Sequence, residues 1–195
     1  MPNSETVVFA AVLAAGASSR FGATKQIAEL DGKSLVQRAH DTATSVFGDQ
    51  VMTVIGHDAG DVLRSMHANS GFVIVNEAYD SGMASSIAAV AHACPSQADA
   101  LVVLLADQPL VTADHLRELQ QTWSGSDVEI VATAFENGMG PPVLLPRGAF
   151  GDLEMLTGDR GARKLFHDPR FELKTVPFEA AGTDIDTPAD LAALT

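Results

Sequence analysis

The sequence Leu-Ala-Ala-Gly-Ala-Ser-Ser-Arg-Phe-Gly-Ala-Thr-Lys, residues 13–25, decides how the rest of this chain is interpreted. The apolar run Val7–Leu13 leads into it and predicts a buried strand. Small residues in the loop let backbone N–H groups approach a phosphate chain, and Arg20 and Lys25 supply positive charge. The spacing of its two glycines excludes the P-loop pattern and the Gly-x-Gly-x-x-Gly dinucleotide fingerprint. The segment therefore predicts a phosphate-binding loop of another kind, the alternative being a Gly/Ser turn with two solvated cations.

The composition restricts the class of ligand. The chain has 195 residues, of which 12 are Lys or Arg and 25 are Asp or Glu, so its net charge is −13. This length favours one domain, and 46% hydrophobic residues suffice for a core. So acidic a surface repels nucleic acid and anionic membranes, so neither is expected as a partner. We expect a soluble protein that holds a small polyphosphate in a local basic pocket with a metal ion.

Cysteine usage and hydropathy predict a cytoplasmic location. Cys94 is the single cysteine, which excludes an internal disulfide and a cysteine-ligated metal cluster. The opening apolar stretch has about half the length of a membrane span. It also lacks the basic leader of a signal peptide, because the first basic residue is Arg20.

Short apolar runs alternate with amphipathic segments through most of the chain. The predicted strands are Val7–Leu13, Val51–Ile55, Phe72–Asn76, Leu101–Ala106, Glu129–Thr133 and Val143–Leu145. Between them, helical spacing occurs at Leu35, Ala39 and Ala43, around residues 62–66, over 87–94 and after Thr112, a suitable N-cap. This alternation predicts a Rossmann-like three-layer α/β/α fold with a mostly parallel sheet.

The alternation is less regular toward the carboxyl end. Gly138–Pro142 predicts a rigid turn, and Gly158–Gly161 predicts a loop that opens onto a helix. Thr187, Pro188 and Asp190 together predict a capped helix N-terminus. With no repeat or linker, we expect a single domain over residues 1–195, divided into a nucleotide-binding part, about 6–110, and an acceptor-side part, about 111–195.

Carboxylates in two places are candidate metal ligands. Asp107 ends a wholly apolar strand, where it would suit Mg²⁺, which binds one or two carboxylates together with substrate phosphates. The alternative is that Asp-x-Pro forms an ordinary turn. Asp184 and Asp186 are two residues apart in a segment predicted to be extended, so they would point the same way and complete a metal site. The alternative for this pair is helix capping.

The segment Gly82–Ser86 opens a predicted helix and places Ser85 and Ser86 where a base or phosphate could be bound. The alternative is a serine N-cap. The six histidines show no His-x3-His pair, which favours surface or packing positions over metal ligation.

Five stretches, in this order, resemble the molybdopterin nucleotidyltransferase family over nearly the whole chain: 13–25, Gly82–Ser86, Asp107–Pro109, Gly158–Arg163 and Asp184–Pro188. The opening loop is similar to the signature of nucleoside triphosphate transferases, and the last two stretches narrow the resemblance to molybdenum cofactor cytidylyltransferases. The resemblance implies a fold of the nucleotide-diphospho-sugar transferase type.

The family's residue roles follow from this resemblance. Leu-Ala-Ala-Gly accompanies CTP in the family and Leu-Ala-Gly-Gly accompanies GTP, so Ala15 implies CTP. Lys25, Arg20 and Asp107 would be catalytic, with Mg²⁺ held by Asp107, Asp186 and Asp184. The implied nucleotide-binding residues are Leu13, Ala14, Ala15, Gly16, Ser18, Ser19, Arg20, Lys25, Ser85 and Ser86.

The implied reaction is attack of an acceptor phosphate on the α-phosphorus of CTP, with molybdopterin as the acceptor and a molybdoenzyme or its chaperone as a further partner. The implied acceptor-side residues are Gly140, Pro141, Pro142, Asp159 and Arg163. The chain departs from the family here, because the family usually has Gly-His-Pro where this sequence has Gly-Pro-Pro.

Two alternative functions remain open at this point. A nucleotidyltransferase for a sugar phosphate or another small phosphate would have a similar opening loop. A non-catalytic nucleotide-binding regulatory domain would keep the fold but is expected to lose Lys25 or Asp107, and both are present.

Overall fold

The apolar runs of the sequence form a central β-sheet. The structure, a computed structural model, describes residues 6–67, 71–136, 138–158 and 161–195. The sheet strands are β1 Val8–Ala14, β4 Val51–Ile55, β5 Phe72–Val75, β6 Ala100–Leu105, β7 Glu129–Phe135, β8 Gly138–Pro146 and β9 Glu172–Pro177, and a separate small hairpin has β2 Glu29–Leu30 and β3 Lys33–Ser34. The sheet order is β5-β4-β1-β6-β8-β7-β9. β8 runs antiparallel to β6 and β7, whereas all other neighbouring pairs are parallel, so the predicted mostly parallel sheet is confirmed.

Helices cover both faces of the sheet. The α-helices are α1 Leu35–Phe47, α2 Ala59–Arg64, α3 Met83–Ala93, α4 Ala113–Thr122, α5 Phe150–Glu154 and α6 Pro188–Ala192. Short 3-10 turns lie at Lys25–Ile27, Tyr79–Ser81, Arg147–Ala149, Gly161–His167 and Glu179–Gly182. The predicted caps are present: the Thr112 hydroxyl accepts from the N–H of His115 at 3.2 Å, and Thr187 and Asp190 form a capping box.

Strand β1 divides the core into two layers because its side chains alternate between the faces. Val8, Ala10, Val12 and Ala14 pack toward α1, α2 and α4. Phe9, Ala11 and Leu13 pack toward α3, α5 and the 3-10 turn at Gly161–His167. The three-layer arrangement is thereby confirmed, with β1 buried at its centre.

The predicted rigid turn at Gly138–Pro142 is wrong, because this segment is the first half of β8. Ala132 pairs with Val143 but Thr133 pairs with Gly140, so the two intervening prolines lie in a bulge. Proline has no N–H for a strand ladder, and a bulge is where a sheet tolerates it. Local composition therefore indicated a turn that pairing with β7 overrode.

Sequence patterns also missed β9 and the β2–β3 hairpin. Strand β9 is an edge strand in which Val176 is the one buried residue of the six, so it carries little apolar signal. The ion pair of Lys174 with buried Glu129 joins β9 to β7 at 2.6 Å. The prediction that residues 62–66 are helical holds in part, since α2 ends at Arg64 and Leu63 faces solvent. No helix among the described residues has the length and hydropathy needed to cross a bilayer.

A buried histidine behind the bulge makes folding stability depend on pH. The hydroxyl of Thr133 donates to the carbonyl of Pro142 at 2.6 Å, so it must accept its 2.7 Å bond from Nε2–H of His115. The ring of His115 stacks on Phe178 with 4.4 Å between centroids, and its Nδ1 has no hydrogen-bond partner. Desolvation lowers the pKa of His115 from 6.5 to about 4.

We expect acid to destabilise the protein through this group. Between pH 6.5 and 4 the unfolded chain takes up a proton that folded His115 refuses, so the free energy of unfolding falls by about 3 kcal/mol as the pH drops. Urea unfolding at pH 7, 5 and 4 measures this fall. His115→Gln keeps an N–H donor but does not titrate between pH 6.5 and 4, so its free energy of unfolding should fall less than that of wild type. Burial also lowers the pKa of His40, and this contributes in the same direction in both proteins. Equal losses in both proteins would contradict the assignment.

Candidate active site

The carboxyl ends of β1, β4 and β6 meet at one edge of the sheet because these strands are parallel neighbours. A cavity of about 300 Å³, called here the first cavity, opens at this edge. It is lined by Leu13, Ala15, Gly16, Ser18, Ser19, Arg20, Lys25, Gln26, Leu35, Tyr79, Gly82, Met83, Ser86, Leu105, Ala106, Asp107 and Asp186. Eight of the ten residues predicted to bind nucleotide are among them. The exceptions are Ala14, which packs in the core on the α1 side, and Ser85.

The buried side-chain amide of Gln26 fixes the conformation of the loop after β1 through two hydrogen bonds. Gln26 is 3% exposed, and its Nε2 donates to the carbonyl of Gly16 at 2.8 Å. Ser18 has a left-handed backbone with φ 53°, and its hydroxyl donates to Oε1 of Gln26 at 3.1 Å. These bonds shape the loop around the cavity, a role for Gln26 that the sequence predictions missed. Its position directly after Lys25 in a small-residue loop was the available signal.

Lys25 lies at the centre of the polar end of the first cavity. Its Nζ donates to Oδ2 of Asp107 at 2.6 Å, to the carbonyl of Ile185 at 2.9 Å and to Oδ1 of Asp186 at 3.2 Å. Arg20 donates to the other oxygen of Asp186 at 2.7 Å, with its own side chain 76% exposed. Burial by itself would lower the pKa of Lys25, but Asp107 and then Asp186 outweigh it and raise the pKa above 10.5. Lys25 is therefore a fully charged ammonium at neutral pH.

Asp186 reaches this site because its neighbours are anchored. Ile185 is fully buried against Leu30 and Leu35, and its N–H donates to the carbonyl of Asp107 at 2.9 Å. The carboxylate of Asp190 accepts from the N–H of Asp186 at 3.1 Å as well as from the capping-box residue Thr187. Helix capping was the alternative reading of this segment, and here the cap also positions the Asp186 backbone.

The expectation that Asp184 and Asp186 point into one site is wrong. Asp186 lines the first cavity with Asp107, whereas Asp184 lines a different one. Asp184 keeps an exposed face, yet desolvation of the remainder, followed by repulsion from Asp107, raises the pKa of its carboxyl.

Asn76 organises the serine pair at the start of α3. It follows β5, is 6% exposed, and its Nδ2 donates to the hydroxyls of Ser85 at 2.8 Å and Ser86 at 3.0 Å. The N-cap of α3 is Gly82, without a side-chain cap, so the serine N-cap alternative is wrong. Ser86 thus faces the first cavity in a fixed orientation. The rule that identified Asp107, a polar residue ending an apolar strand, would also have identified Asn76.

Gly56, directly after β4, allows two walls of the first cavity to come together. A Cβ at this position would lie 2.7 Å from Cβ of Tyr79 and 2.9 Å from Cβ of Ala15, too close for any side chain. Tyr79 and Ala15 therefore both contact the Gly56 backbone, and the methyl of Ala15 is held in place at the cavity wall.

A second cavity of about 530 Å³ adjoins the first, and both are lined by Met83 and Leu105. Its remaining lining is Ile87, Val103, Gln108, Phe135, Pro141, Val143, Gly161, Ala162, Arg163, Phe166, Ala181, Gly182 and Asp184. Most of this wall is apolar or aromatic. Asp107 and Gln108 are consecutive residues on opposite sides of the boundary between the cavities.

The predicted acceptor-side residues meet at the second cavity in part. Pro141 and Arg163 line it, and the guanidinium of Arg163 lies over Gly140, where an added Cβ would be 2.9 Å from its nitrogen. Pro142 is buried and lines neither cavity, and its carbonyl accepts from the hydroxyl of Thr133 on the neighbouring strand β7. Asp159 lies outside the described residues.

The residues at the polar end of the first cavity fit a divalent metal shared with a phosphate ligand. Oδ1 of Asp107 is buried without a hydrogen-bond partner, so this carboxylate has an unused acceptor. Over residues 6–67, 71–136, 138–158 and 161–195, no three His, Cys, Asp or Glu side chains form a metal-binding group. Asp107 and Asp186 could thus supply two ligands, with phosphate and water supplying the rest, as Mg²⁺ prefers.

The model of the MobA-like NTP transferase domain matches residues 10–175, from β1 into β9. The chain belongs to this family. It is therefore a nucleotidyltransferase, of a family whose members use divalent metals and join a nucleoside triphosphate to a phosphate acceptor.

Two curated proteins are similar in sequence to this chain. The purine catabolism protein PucB of Bacillus subtilis (strain 168) is 29% identical over 190 residues, which cover 91% of each chain. The bifunctional protein GlmU of Shouchella clausii (strain KSM-K16) is 31% identical over 116 residues, 58% of this chain. That match spans 25% of GlmU, so it concerns one part of a longer protein.

Solved structures share the same fold. Rv0371c from Mycobacterium tuberculosis H37Rv is 29% identical, with a TM-score of 0.84 and 98% of both chains covered. Its complex with manganese gives a TM-score of 0.81 over 97% of this chain and 98% of that one, again at 29% identity. Molybdopterin-guanine dinucleotide biosynthesis protein A from Archaeoglobus fulgidus, 21% identical over 95% of each chain, shares the fold with a TM-score of 0.71.

Proposed function

We propose that this protein transfers CMP from CTP to the phosphate of molybdopterin and releases pyrophosphate. The observation that carries the proposal is the contact of Lys25 with Asp107 and Asp186 at the polar end of a cavity that adjoins a second one. Cations for a triphosphate and carboxylates for a metal are what a nucleotidyl transfer requires, and a neighbouring space is needed for the acceptor.

The choice of CTP rests on Ala15. Its methyl is held at the wall of the first cavity by contact with Gly56, so it occupies space that glycine would leave free. The resemblance links alanine at this position to CTP and glycine to GTP, and a smaller pyrimidine suits the smaller space. Ser86, oriented by Asn76, would bind the base or ribose from the opposite wall.

The acceptor side favours a molecule that has a flat ring system and carries a phosphate. Phe135, Phe166 and Met83 give the second cavity faces on which a planar ring system can pack. Arg163 has no carboxylate partner among the described residues, so its guanidinium is available for a phosphate. A sugar phosphate, the alternative acceptor, would place several hydroxyls in a cavity whose wall is mostly apolar, where Gln108, Arg163 and Asp184 are the polar side chains that could bind them.

The chemical step needs no protein nucleophile. An oxygen of the acceptor phosphate attacks the α-phosphorus of CTP, the bond to the β-phosphate oxygen breaks, and pyrophosphate leaves with that electron pair. Lys25 and Arg20 would hold the triphosphate and balance the charge that develops on the leaving group. Asp107 and Asp186 would hold Mg²⁺, which supplies further neutralisation of phosphate charge when bound. Asp184, in the second cavity, would lie on the acceptor side.

In this proposal, residues of about 6–110 supply most of the nucleotide site and 111–195 most of the acceptor site. One exception is Asp186, which lines the first cavity. The others line the second cavity and are Met83, Ile87, Val103, Leu105 and Gln108. A molybdoenzyme or its chaperone would receive the product. A non-catalytic regulatory role is disfavoured because Lys25 and Asp107 are both present and in contact.

Calorimetric titration with CTP, GTP, ATP and UTP in the presence of Mg²⁺ tests the nucleotide assignment. We expect CTP to bind about tenfold or more tightly than GTP, and Ala15→Gly to reduce that preference, within the range that one methyl group in a pocket can produce. Pyrophosphate release with CTP and either molybdopterin or a sugar 1-phosphate then tests the acceptor. Preference for another nucleotide would refute the inference from Ala15. Turnover with the sugar phosphate but not with molybdopterin would show that the acceptor is a sugar phosphate.

A further inference from the structure

Within the first cavity the protein's own cations cover the carboxylates of the proposed metal site. Lys25 is bonded to Oδ2 of Asp107 and to Oδ1 of Asp186, and Arg20 is bonded to Oδ2 of Asp186. The fourth oxygen, Oδ1 of Asp107, is buried. A divalent cation therefore finds one unpartnered carboxylate oxygen here, Oδ1 of Asp107, and it cannot bind Asp186 until Lys25 or Arg20 moves.

The same two cations are what the cavity offers to a triphosphate. Among the described residues no other Lys or Arg lines it. The surrounding chain is strongly acidic, with a net charge of −13, so it gives no general attraction for a polyanion. Phosphates and carboxylates thus compete for Lys25 and Arg20.

We propose that nucleotide and metal exchange partners at this site, with Lys25 as the residue that couples them. A triphosphate takes the Lys25 ammonium and the Arg20 guanidinium from Asp107 and Asp186, and the uncovered carboxylates then take the divalent cation. When the Lys25 ammonium moves to the triphosphate, the partly buried carboxylate of Asp107 is left without a counter-ion. Binding of a divalent cation to this carboxylate then becomes favourable. Each ligand therefore strengthens binding of the other, and Lys25 opposes metal binding when no nucleotide is present. This inference rests on the proposed function, because it assumes that the first cavity holds a triphosphate.

The lengths of the two side chains make this exchange local. The Lys25 side chain is 13% exposed but ends at the cavity, so a rotation of its terminal methylenes moves Nζ from carboxylate to phosphate without a backbone change. Arg20 is mostly exposed and free to turn in the same way. Asp107 and Asp186 stay in place, because the backbone around them is fixed by the Ile185 bond to Asp107 and by the Asp190 cap.

Binding of each ligand alone, in wild type and Lys25→Met, tests the proposal. Mn²⁺ binding without nucleotide is followed by electron paramagnetic resonance, and CTP binding is followed by calorimetry in the presence of a chelator. We expect Lys25→Met to bind Mn²⁺ about tenfold more tightly than wild type and CTP about tenfold more weakly, as usual coupling energies allow. Arg20→Gln should shift both affinities in the same directions but less. Lys33→Met, which removes a cation from a surface pair with Asp41, is the matched control and should change neither.

Tighter Mn²⁺ binding together with weaker CTP binding distinguishes the exchange from damage to the site, because a distorted cavity would bind both ligands more weakly. Unchanged or weaker Mn²⁺ binding by a folded Lys25→Met protein overturns the proposal, even where CTP transfer is confirmed. If no nucleoside triphosphate binds wild type with Mn²⁺ present, the proposed function fails instead. Inorganic tripolyphosphate then serves as the anion, and tighter Mn²⁺ binding by Lys25→Met would still support the exchange.

Discussion

Lys25→Met is expected to lower the rate of nucleotidyl transfer about 10²- to 10³-fold at saturating CTP, the usual effect of removing one group that stabilises transition-state charge. The methionine retains the length of the side chain but loses the ammonium that contacts Asp107 and Asp186. The measurement is pyrophosphate release with CTP, Mg²⁺ and acceptor. Because negative charge increases on the leaving pyrophosphate in the transition state, removal of the ammonium should lower kcat as well as raise KM.

Two controls separate this effect from instability. Lys33→Met alters a surface ion pair and should leave turnover unchanged. Thermal unfolding of Lys25→Met should remain cooperative, since Lys25 lies at a cavity and makes no contribution to either main apolar cluster. Near-normal turnover of a folded Lys25→Met protein would exclude Lys25 from the reaction.

Asp107→Asn is expected to lower transfer by a similar factor and to remove the strengthening of CTP binding by Mg²⁺. Asparagine has the same shape and can still accept a bond from Lys25, but it lacks the negative charge that a divalent cation requires. Calorimetric titration of CTP with Mg²⁺, and again with a chelator, gives the two affinities whose ratio reports metal dependence. In wild type this ratio should be large, and in Asp107→Asn it should be close to one.

Asp114→Asn is the matched control for this substitution. Asp114 is 95% exposed at the start of α4 and pairs only with Arg117 among the described residues. It should leave both the turnover and the metal dependence unchanged. If Mg²⁺ strengthens CTP binding equally in wild type and Asp107→Asn, the metal lies elsewhere in the protein.

Elements with a strong local signal were predicted well. Strand β4 has the predicted bounds, Val51–Ile55, and α1 follows from the spacing of Leu35, Ala39 and Ala43. Strand β4 is buried along its whole length, and α1 is buried on the face that carries these three residues. Strand β9 was missed because an edge strand buries little, and Gly138–Pro142 was taken for a turn because its prolines enter the sheet only through a bulge.

The site shows the same division between local and distant information. Arg20, Lys25 and Asp107 follow from the loop after β1 and the end of β6, since carboxyl ends of parallel strands hold ligands. Gln26 and Asn76 were not predicted, although each had a local signal, because their roles depend on hydrogen bonds to other parts of the site. Asp184 and Asp186 show the limit of spacing arguments, since they line different, adjoining cavities.

The sequence by itself determined the alternation of strands and helices, the phosphate-binding character of residues 13–25 and the capping box at Thr187. These features depend on hydrophobic periodicity and on neighbours a few residues apart. Only the tertiary structure decided that Asp186 meets Lys25, 161 positions away in the chain, that Arg163 lies over Gly140, and that two cavities adjoin. Contacts of this kind depend on which strands pair and in which register, and burial of the whole sheet, rather than any single segment, selects that pairing.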